Sequence, residues 1–196
     1  MNRTLLFFVG GALILGGAAV LGVYWWNLRD AAQAQQLAKE SLSRATARPI
    51  PLVLPEPGQA ARHAARRGDI LGELNIPRLH MSVVVFEGDD LGILRIGAGH
   101  IPSTALPLEK GNVGIAAHRD TFFRRLQSIH PNDLITVKTP AGTSKFSVTE
   151  TEIVVPTKVE VLTNAPGRDL TLVTCYPFSY IGRAPQRFIV HARRIE

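Results

Sequence analysis

Short runs of β-favouring residues, separated by turn residues, fill the sequence from Asp69 onward. Apolar or β-branched side chains alternate along these runs, and such alternation predicts strands that bury one face. Sustained helical periodicity is scarce there, so the pattern predicts an all-β barrel or sandwich with one or two short helices. Asp90 is expected to cap one of these helices, which runs to Leu94. The predicted strands cover residues 70–76, 81–86, 113–117, 134–139, 145–155, 170–174 and 187–193.

The N-terminal segment has a different composition. Residues 5–26 contain no ionisable side chain except Tyr24. At about 1.5 Å per residue, a helix of this length spans the roughly 30 Å hydrocarbon core of a bilayer. Tyr24, Trp25 and Trp26 would form an aromatic belt at its end, so a transmembrane helix is predicted. The alternative is a cleaved signal peptide with its site at 32–34, but the apolar run exceeds the about 7 to 15 residues of a signal peptide's apolar h-region.

The amino-acid composition divides the chain into three segments. Residues 1–27 are the predicted membrane anchor. Residues 28–68 are a stalk and linker, because helix formers fill 28–47 and prolines recur in 48–57. Residues 69–196 are the predicted folded domain. The first 68 residues carry eight basic and three acidic side chains, and the remainder carries fourteen and thirteen, so the nearly neutral domain lacks the basic surface expected for nucleic-acid binding.

The only cysteine, Cys175, stands near the end of the predicted strand 170–174, just before Tyr176 and Pro177. A single cysteine cannot form an internal disulfide. It is therefore either a small buried hydrophobe or a reactive group held at the rim of the fold.

Two further residues stand at strand boundaries. His118 follows the small-residue strand 113–117, and Arg187 begins the strand after that of Cys175. If the last two strands are antiparallel neighbours, the end of one lies beside the start of the next. The sequence thus predicts that Cys175 and Arg187 meet at one rim. Arg183, four residues before Arg187, is the alternative to Arg187 as the arginine near Cys175, although it lies in a predicted loop.

The domain resembles the sortases, the cysteine transpeptidases of bacterial surfaces. Residues 171–175, Thr-Leu-Val-Thr-Cys, match the family's Thr-Leu-x-Thr-Cys motif, and the order His, Cys, Arg is also that of the family. The loop 97–102, Gly-Ala-Gly-His-Ile-Pro, is similar as well, and residues 114–123 resemble class D sortases. The resemblance covers about residues 69–195. It implies a closed β-barrel of about eight strands, exported behind an N-terminal anchor.

The resemblance also implies roles for particular side chains. Cys175 would be the nucleophile, with His118 as its acid–base partner and Arg187 as the group that holds the substrate backbone or the developing oxyanion. Thr174 and the amide of Tyr176 would be further oxyanion contacts, and His100 would line the substrate groove. Asp120 either orients His118 or caps the following helical turn, and the cap is the favoured interpretation.

The implied function is cleavage of a Leu-Pro-x-Thr-like sorting signal after threonine, through a Cys175 thioester. The acyl group would then pass to an amine of a cell-wall precursor or a pilin lysine, or to water, which would make the protein a thiol protease. Two alternatives remain, a non-catalytic exported β-barrel that binds peptides and an unrelated Cys-His hydrolase. The expected location is the cytoplasmic membrane, with a single span and an extracytoplasmic domain. No cofactor is expected; calcium at Glu87, Asp89 and Asp90 is the alternative.

Overall fold

The computed structural model describes residues 3–47, 65–166 and 169–195, and within these ranges eight strands form a closed barrel. The order around the barrel is β1-β2-β3-β4-β7-β8-β6-β5. This architecture confirms the prediction of an all-β barrel. The strands are β1 (Ile70–Ile76), β2 (Met81–Glu87), β3 (Ala98–His100), β4 (Val113–Ala116), β5 (Leu134–Thr139), β6 (Gly142–Val154), β7 (Leu170–Tyr176) and β8 (Gln186–Arg194).

Two neighbouring pairs, β2–β3 and β4–β7, are parallel, and the other pairs are antiparallel. Side chains alternate along β7, so Leu170 and Leu172 enter the core while Cys175 lies on the other face. The fully buried core side chains include Leu74, Ile76, Ile115, Phe123, Ile135, Phe146, Leu170 and Leu172.

The predicted strand bounds agree with the structure to within a few residues, with two differences. β3 was not predicted, because Ala98–His100 is only three residues long and contains no β-branched residue. β7 continues to Tyr176, so Cys175 is the penultimate residue of its strand. The register of β6 shifts between Val148 and Glu150, so the ladder of this long strand is irregular at that point.

Two helices accompany the barrel, α1 (Arg3–Ala47) and α2 (Leu91–Ile96). Asp90 caps α2 by accepting a hydrogen bond from the amide of Gly92, as predicted. Single turns of 3-10 helix lie at Pro77–Leu79, Arg124–Ser128 and Val159–Leu162.

α1 crosses the predicted boundary at residue 27 without interruption. Its C-terminal half is not a free stalk but packs on the barrel, where Ala38 and Leu42 are buried beside Val84 and Phe86. Gln35 reinforces this packing, because its Nε2 donates to the carbonyl of Ile96 (2.6 Å) and its Oε1 accepts from the amide of Val84 (2.8 Å). β3 pairs with β2 only from Val85 onward, so Gln35 supplies the partner that the Val84 amide would otherwise lack.

The apolar segment 5–26 is helical, as predicted. Among the residues that the structure describes, no helix combines the length and the apolar character needed to cross a membrane. The proline-rich linker at 48–57 lies outside the described residues.

Candidate active site

The register of three strands places three of the predicted site residues in one row. Ala116 on β4 pairs with Val173 on the parallel strand β7, and the amide of Ala117 still donates to the carbonyl of Val173 (3.2 Å). Two residues further along both chains, His118 therefore comes beside Cys175. On the other side of β7, Cys175 is the direct cross-strand partner of Arg187, which is the arrangement predicted from the sequence.

These three side chains line one open pocket of about 340 Å³. Cys175 is a free, half-buried thiol, and His118 and Arg187 are also half-buried. The thiol, an imidazole and a guanidinium thus share one partly solvent-excluded space, as nucleophilic catalysis by cysteine requires. The rival Arg183 also lines this pocket, from the exposed β7–β8 connection.

An apolar strip lies beside this row on the outer face of the barrel. Ala116, Val173 and Ile189 are neighbours across β4, β7 and β8. Val161 and Leu162, on the β6–β7 connection, pack against Val173 and Ile189. Ile189 is 1% exposed beneath them, whereas Ala116 and Val173 are half-buried, so these two carry the apolar surface next to Cys175.

The two threonines of the Thr-Leu-Val-Thr-Cys motif are buried, and their hydroxyls form hydrogen bonds inside the protein. Thr174 is 2% exposed, and its hydroxyl donates to the carbonyl of Ala117 (2.7 Å). That bond joins the residue before Cys175 to the residue before His118. Thr171, which is fully buried, is hydrogen-bonded to Asn112 (2.9 Å) and His191 (3.1 Å). The prediction that Thr174 contacts substrate is wrong for its side chain, because the hydroxyl is buried and already paired.

His100 does not line a groove, contrary to the prediction. The ring is 1% exposed; its Nδ1 lies 2.7 Å from Glu87 Oε2, and its Nε2 lies 2.9 Å from the carbonyl oxygen of Ala105. Both ring nitrogens therefore have partners inside the protein. These contacts fasten the β3–β4 connection to the barrel, and His100 is a structural residue.

Tyr176 lies next to Cys175, but its side chain belongs to an aromatic cluster. Its ring centroid is 6.1 Å from that of Phe178 and 6.3 Å from that of Phe188. This cluster packs against the barrel core through Phe178 and Phe188.

Arg119 was missed by the sequence analysis. It is 9% exposed, and its Nη2 donates to the carbonyls of Tyr180 (2.6 Å) and Gly182 (3.1 Å). The residue after His118 thus holds the β7–β8 connection, which carries Arg183, over the pocket. Only its position next to His118 could have drawn attention to it.

Asp120 does not have the capping role that the sequence favoured. The 3-10 turn at Arg124–Ser128 has no side-chain cap. Asp120 is instead exposed, and it lines the pocket that contains Cys175.

The three carboxylates considered for calcium, those of Glu87, Asp89 and Asp90, are not grouped to hold one ion. Glu87 is paired with buried His100. Asp90 accepts two hydrogen bonds from Arg67, which hold the pKa of this carboxyl at about 2. Within the described residues, no group of three or more histidine, cysteine, aspartate or glutamate side chains is placed to hold a metal ion.

Comparison with known proteins agrees with this fold. The sortase domain family model matches residues 74–195. Sortase D of Bacillus subtilis is 33% identical over 142 residues, which are 72% of this chain and 67% of that protein.

Two solved structures show the same fold. A sortase D5 transpeptidase of Clostridium perfringens is 24% identical, with a TM-score of 0.68 over 84% of this chain and 99% of that chain. A C. perfringens sortase C, solved with the C-terminal cell wall sorting motif, is 24% identical, with a TM-score of 0.62 over 67% and 74% of the two chains. The chain belongs to the sortase family, resembles its class D members, and is a sortase-type transpeptidase.

Proposed function

We propose that this sortase is anchored in the membrane, cleaves a Leu-Pro-x-Thr-like sorting signal after threonine, and transfers the acyl group to an amine. The observation that carries the proposal is the row of His118, Cys175 and Arg187 around one pocket. A nucleophile, an acid–base group and a fixed positive charge are the groups that acyl transfer through a thioester needs.

The chemistry follows from this arrangement. The Cys175 thiolate attacks the threonine carbonyl, the C–S bond forms, and the C–N bond to the next residue breaks. His118 gives its proton to the leaving amine. A neutral amine then attacks the thioester carbonyl, the C–N bond forms, the C–S bond breaks, and the amine's proton passes to His118. The thiolate and the imidazolium are thereby restored. Arg187 stabilises the negative oxygen of each tetrahedral intermediate.

An extended peptide is the substrate that the surroundings of Cys175 favour. Ala116 and Val173, the half-buried members of the apolar strip, suit contact with leucine and proline side chains. The structural relative from C. perfringens, solved with a cell wall sorting motif, supports the same class of substrate. The acceptor amine is that of a cell-wall precursor or a pilin lysine.

The proposed location is the cytoplasmic membrane, with the barrel on the extracytoplasmic side. The support is the sequence of residues 5–26, which has no charged side chain and ends in Tyr24, Trp25 and Trp26.

The test uses the full chain, prepared from membranes in detergent, with fluorogenic Leu-Pro-x-Thr peptides. We expect cleavage after threonine and, when a primary amine is added, an amide product identified by mass spectrometry. Cleavage without any preference for threonine before the scissile bond would favour the unrelated hydrolase instead. Retention of the chain in membranes after an alkaline wash tests the anchor, and release of a chain shortened near residue 32 would show a cleaved signal peptide.

Arg187→Ala should lower kcat/KM for peptide cleavage by about 10²-fold, because a preorganised positive charge at the oxyanion is lost. Arg183→Ala is the matched control. It removes the same group from an exposed position of the same pocket and should lower kcat/KM by less than about fivefold. Steady-state kinetics of both variants decide the assignment, and the reverse order of effects would give the role to Arg183.

A further inference from the structure

A second cavity, of about 480 Å³, adjoins the candidate active site. It lies between α1, α2 and the turn that follows His118. Tyr24, Ala31, Ala32 and Gln35 of α1 form one wall, Arg95 belongs to α2, and Phe122 belongs to the turn. The cavity therefore exists only because α1 is docked on the barrel.

The docking of α1 at this place is well supported by contacts. Gln35 makes its two hydrogen bonds to the backbone at Ile96 and Val84. Asp30 forms an ion pair with Arg95, at 3.3 Å. One turn beyond Gln35, Ala38 is 5% exposed against the barrel. This face of α1 is thus a fixed part of the domain.

The two cavities meet at His118 and Asp120, which line both. In the row of side chains, Arg187 lies on one side of Cys175, and His118 lies on the other. An acyl peptide held by Cys175 and Arg187 leaves the His118 side open. The group that resolves the thioester must reach its carbonyl carbon and deliver a proton to His118. The cavity along α1 ends at His118, beside the Cys175 pocket, so a group bound there lies close to both.

Two features of this lining suit an acceptor amine, and its arginine, Arg95, is already paired with Asp30. Ala31, Ala32 and Phe122 present apolar surface to a hydrocarbon chain. Asp120, exposed at the junction with the Cys175 pocket, places a carboxylate where an ammonium group would arrive. A primary amine on an unbranched alkyl chain, as in a lysine side chain, satisfies both features.

We propose that the cavity between α1 and His118 is the acceptor site of this enzyme, and that it takes an unbranched primary alkylamine. The inference rests on the proposed function. Asp120 receives the ammonium ion, which loses one proton to water before attack. The neutral amine then forms the C–N bond as the C–S bond of the thioester breaks, and its second proton passes to His118. α1 is on this account a substrate-binding element as well as a tether.

The first experiment measures how one acyl-enzyme divides between two amines. The full chain cleaves a Leu-Pro-x-Thr peptide with methylamine and pentylamine at equal concentration, and the two amide products are quantified. These amines have similar basicity, so their product ratio reports contacts of the alkyl chain. The ratio does not depend on how much of a variant is folded. We expect the parent chain to prefer pentylamine by tenfold or more, since each buried methylene contributes roughly fourfold.

Ala32→Trp should fill the cavity and reduce that preference to about twofold. The matched control is Ala45→Trp, which places the same bulk on an exposed position of α1 away from the cavity; its product ratio should equal that of the parent. A parent chain without preference for pentylamine, or an Ala32→Trp variant that keeps the full preference, would overturn the proposal.

Asp120 is tested with pentylamine against hydroxylamine, which is largely uncharged at neutral pH and needs no alkyl site. Asp120→Asn should lower the ratio of amide to hydroxamate by about threefold. Asp89→Asn, at another exposed loop carboxylate, should leave it unchanged. An equal ratio in Asp120→Asn and the parent would remove Asp120 from the site. If the parent forms no hydroxamate at all, no thioester is made, and it is the proposed function that fails.

Discussion

Cys175→Ala should abolish peptide cleavage and amide formation, with activity below detection. No other cysteine exists in the chain, and alanine cannot form the thioester on which both half-reactions depend. The substitution removes one sulfur atom from a half-buried position, so the free energy of unfolding should change by only about 1 kcal/mol. Peptide cleavage, intact-protein mass spectrometry and thermal unfolding of the two chains provide the measurement.

The mass spectrum separates the two cysteine-based enzyme hypotheses from the peptide-binding module. The parent chain, mixed with peptide and quenched in acid, should show the mass of the acyl-enzyme, and Cys175→Ala should not. A peptide-binding module would bind peptide equally well with either residue and would never show the adduct. Cleavage that persists in Cys175→Ala would exclude both cysteine-based mechanisms.

The barrel could be predicted from the sequence because its strands alternate and end at turn residues, which are local properties. The strand at Leu134–Thr139 has the predicted bounds for this reason. β3 could not be found, because Ala98–His100 is a strand only through its pairing with β2 and β4. Its residue types carry no signal of their own.

The candidate site shows the same division between local and tertiary information. Cys175, His118 and Arg187 stand at strand boundaries, so strand pairing was enough to bring them together. Burial is a property of the complete fold, and for that reason the sequence misplaced His100 and Thr174, which proved to be 1% and 2% exposed. Both residues have structural roles. His100 fastens the β3–β4 connection to the barrel, and Thr174 joins the ends of β4 and β7 at the site.

The docking of α1 was missed for a related reason. Gln35, Ala38 and Leu42 are spaced by three and four residues, which is the spacing of one helical face. The sequence could not show that this face would meet Val84 and the end of α2, because no local rule says which part of a barrel a preceding helix covers. The acceptor site that we infer depends on this contact and so was invisible in the sequence.

His118→Ala should lower kcat/KM for peptide cleavage by about 10³-fold, within the range of 10² to 10⁴ that positioned acid–base groups contribute. The leaving amine would then depart without a proton donor, and the incoming amine would find no base. His118→Gln keeps a polar side chain of similar size but cannot exchange the proton, so it should be equally impaired. Stopped-time assays of both variants, with and without an added amine, measure the loss in each half-reaction.

His130→Ala is the control for the general effect of removing a histidine. His130 is exposed, and its Nδ1 contacts Arg78 rather than any group of the Cys175 pocket. Its kcat/KM should stay within about twofold of the parent, because surface substitutions of this kind change stability little. If His118→Ala retained more than a tenth of the activity, the proton would have to move by another route. The shared position of His118 between the Cys175 pocket and the α1 cavity would then need a different explanation.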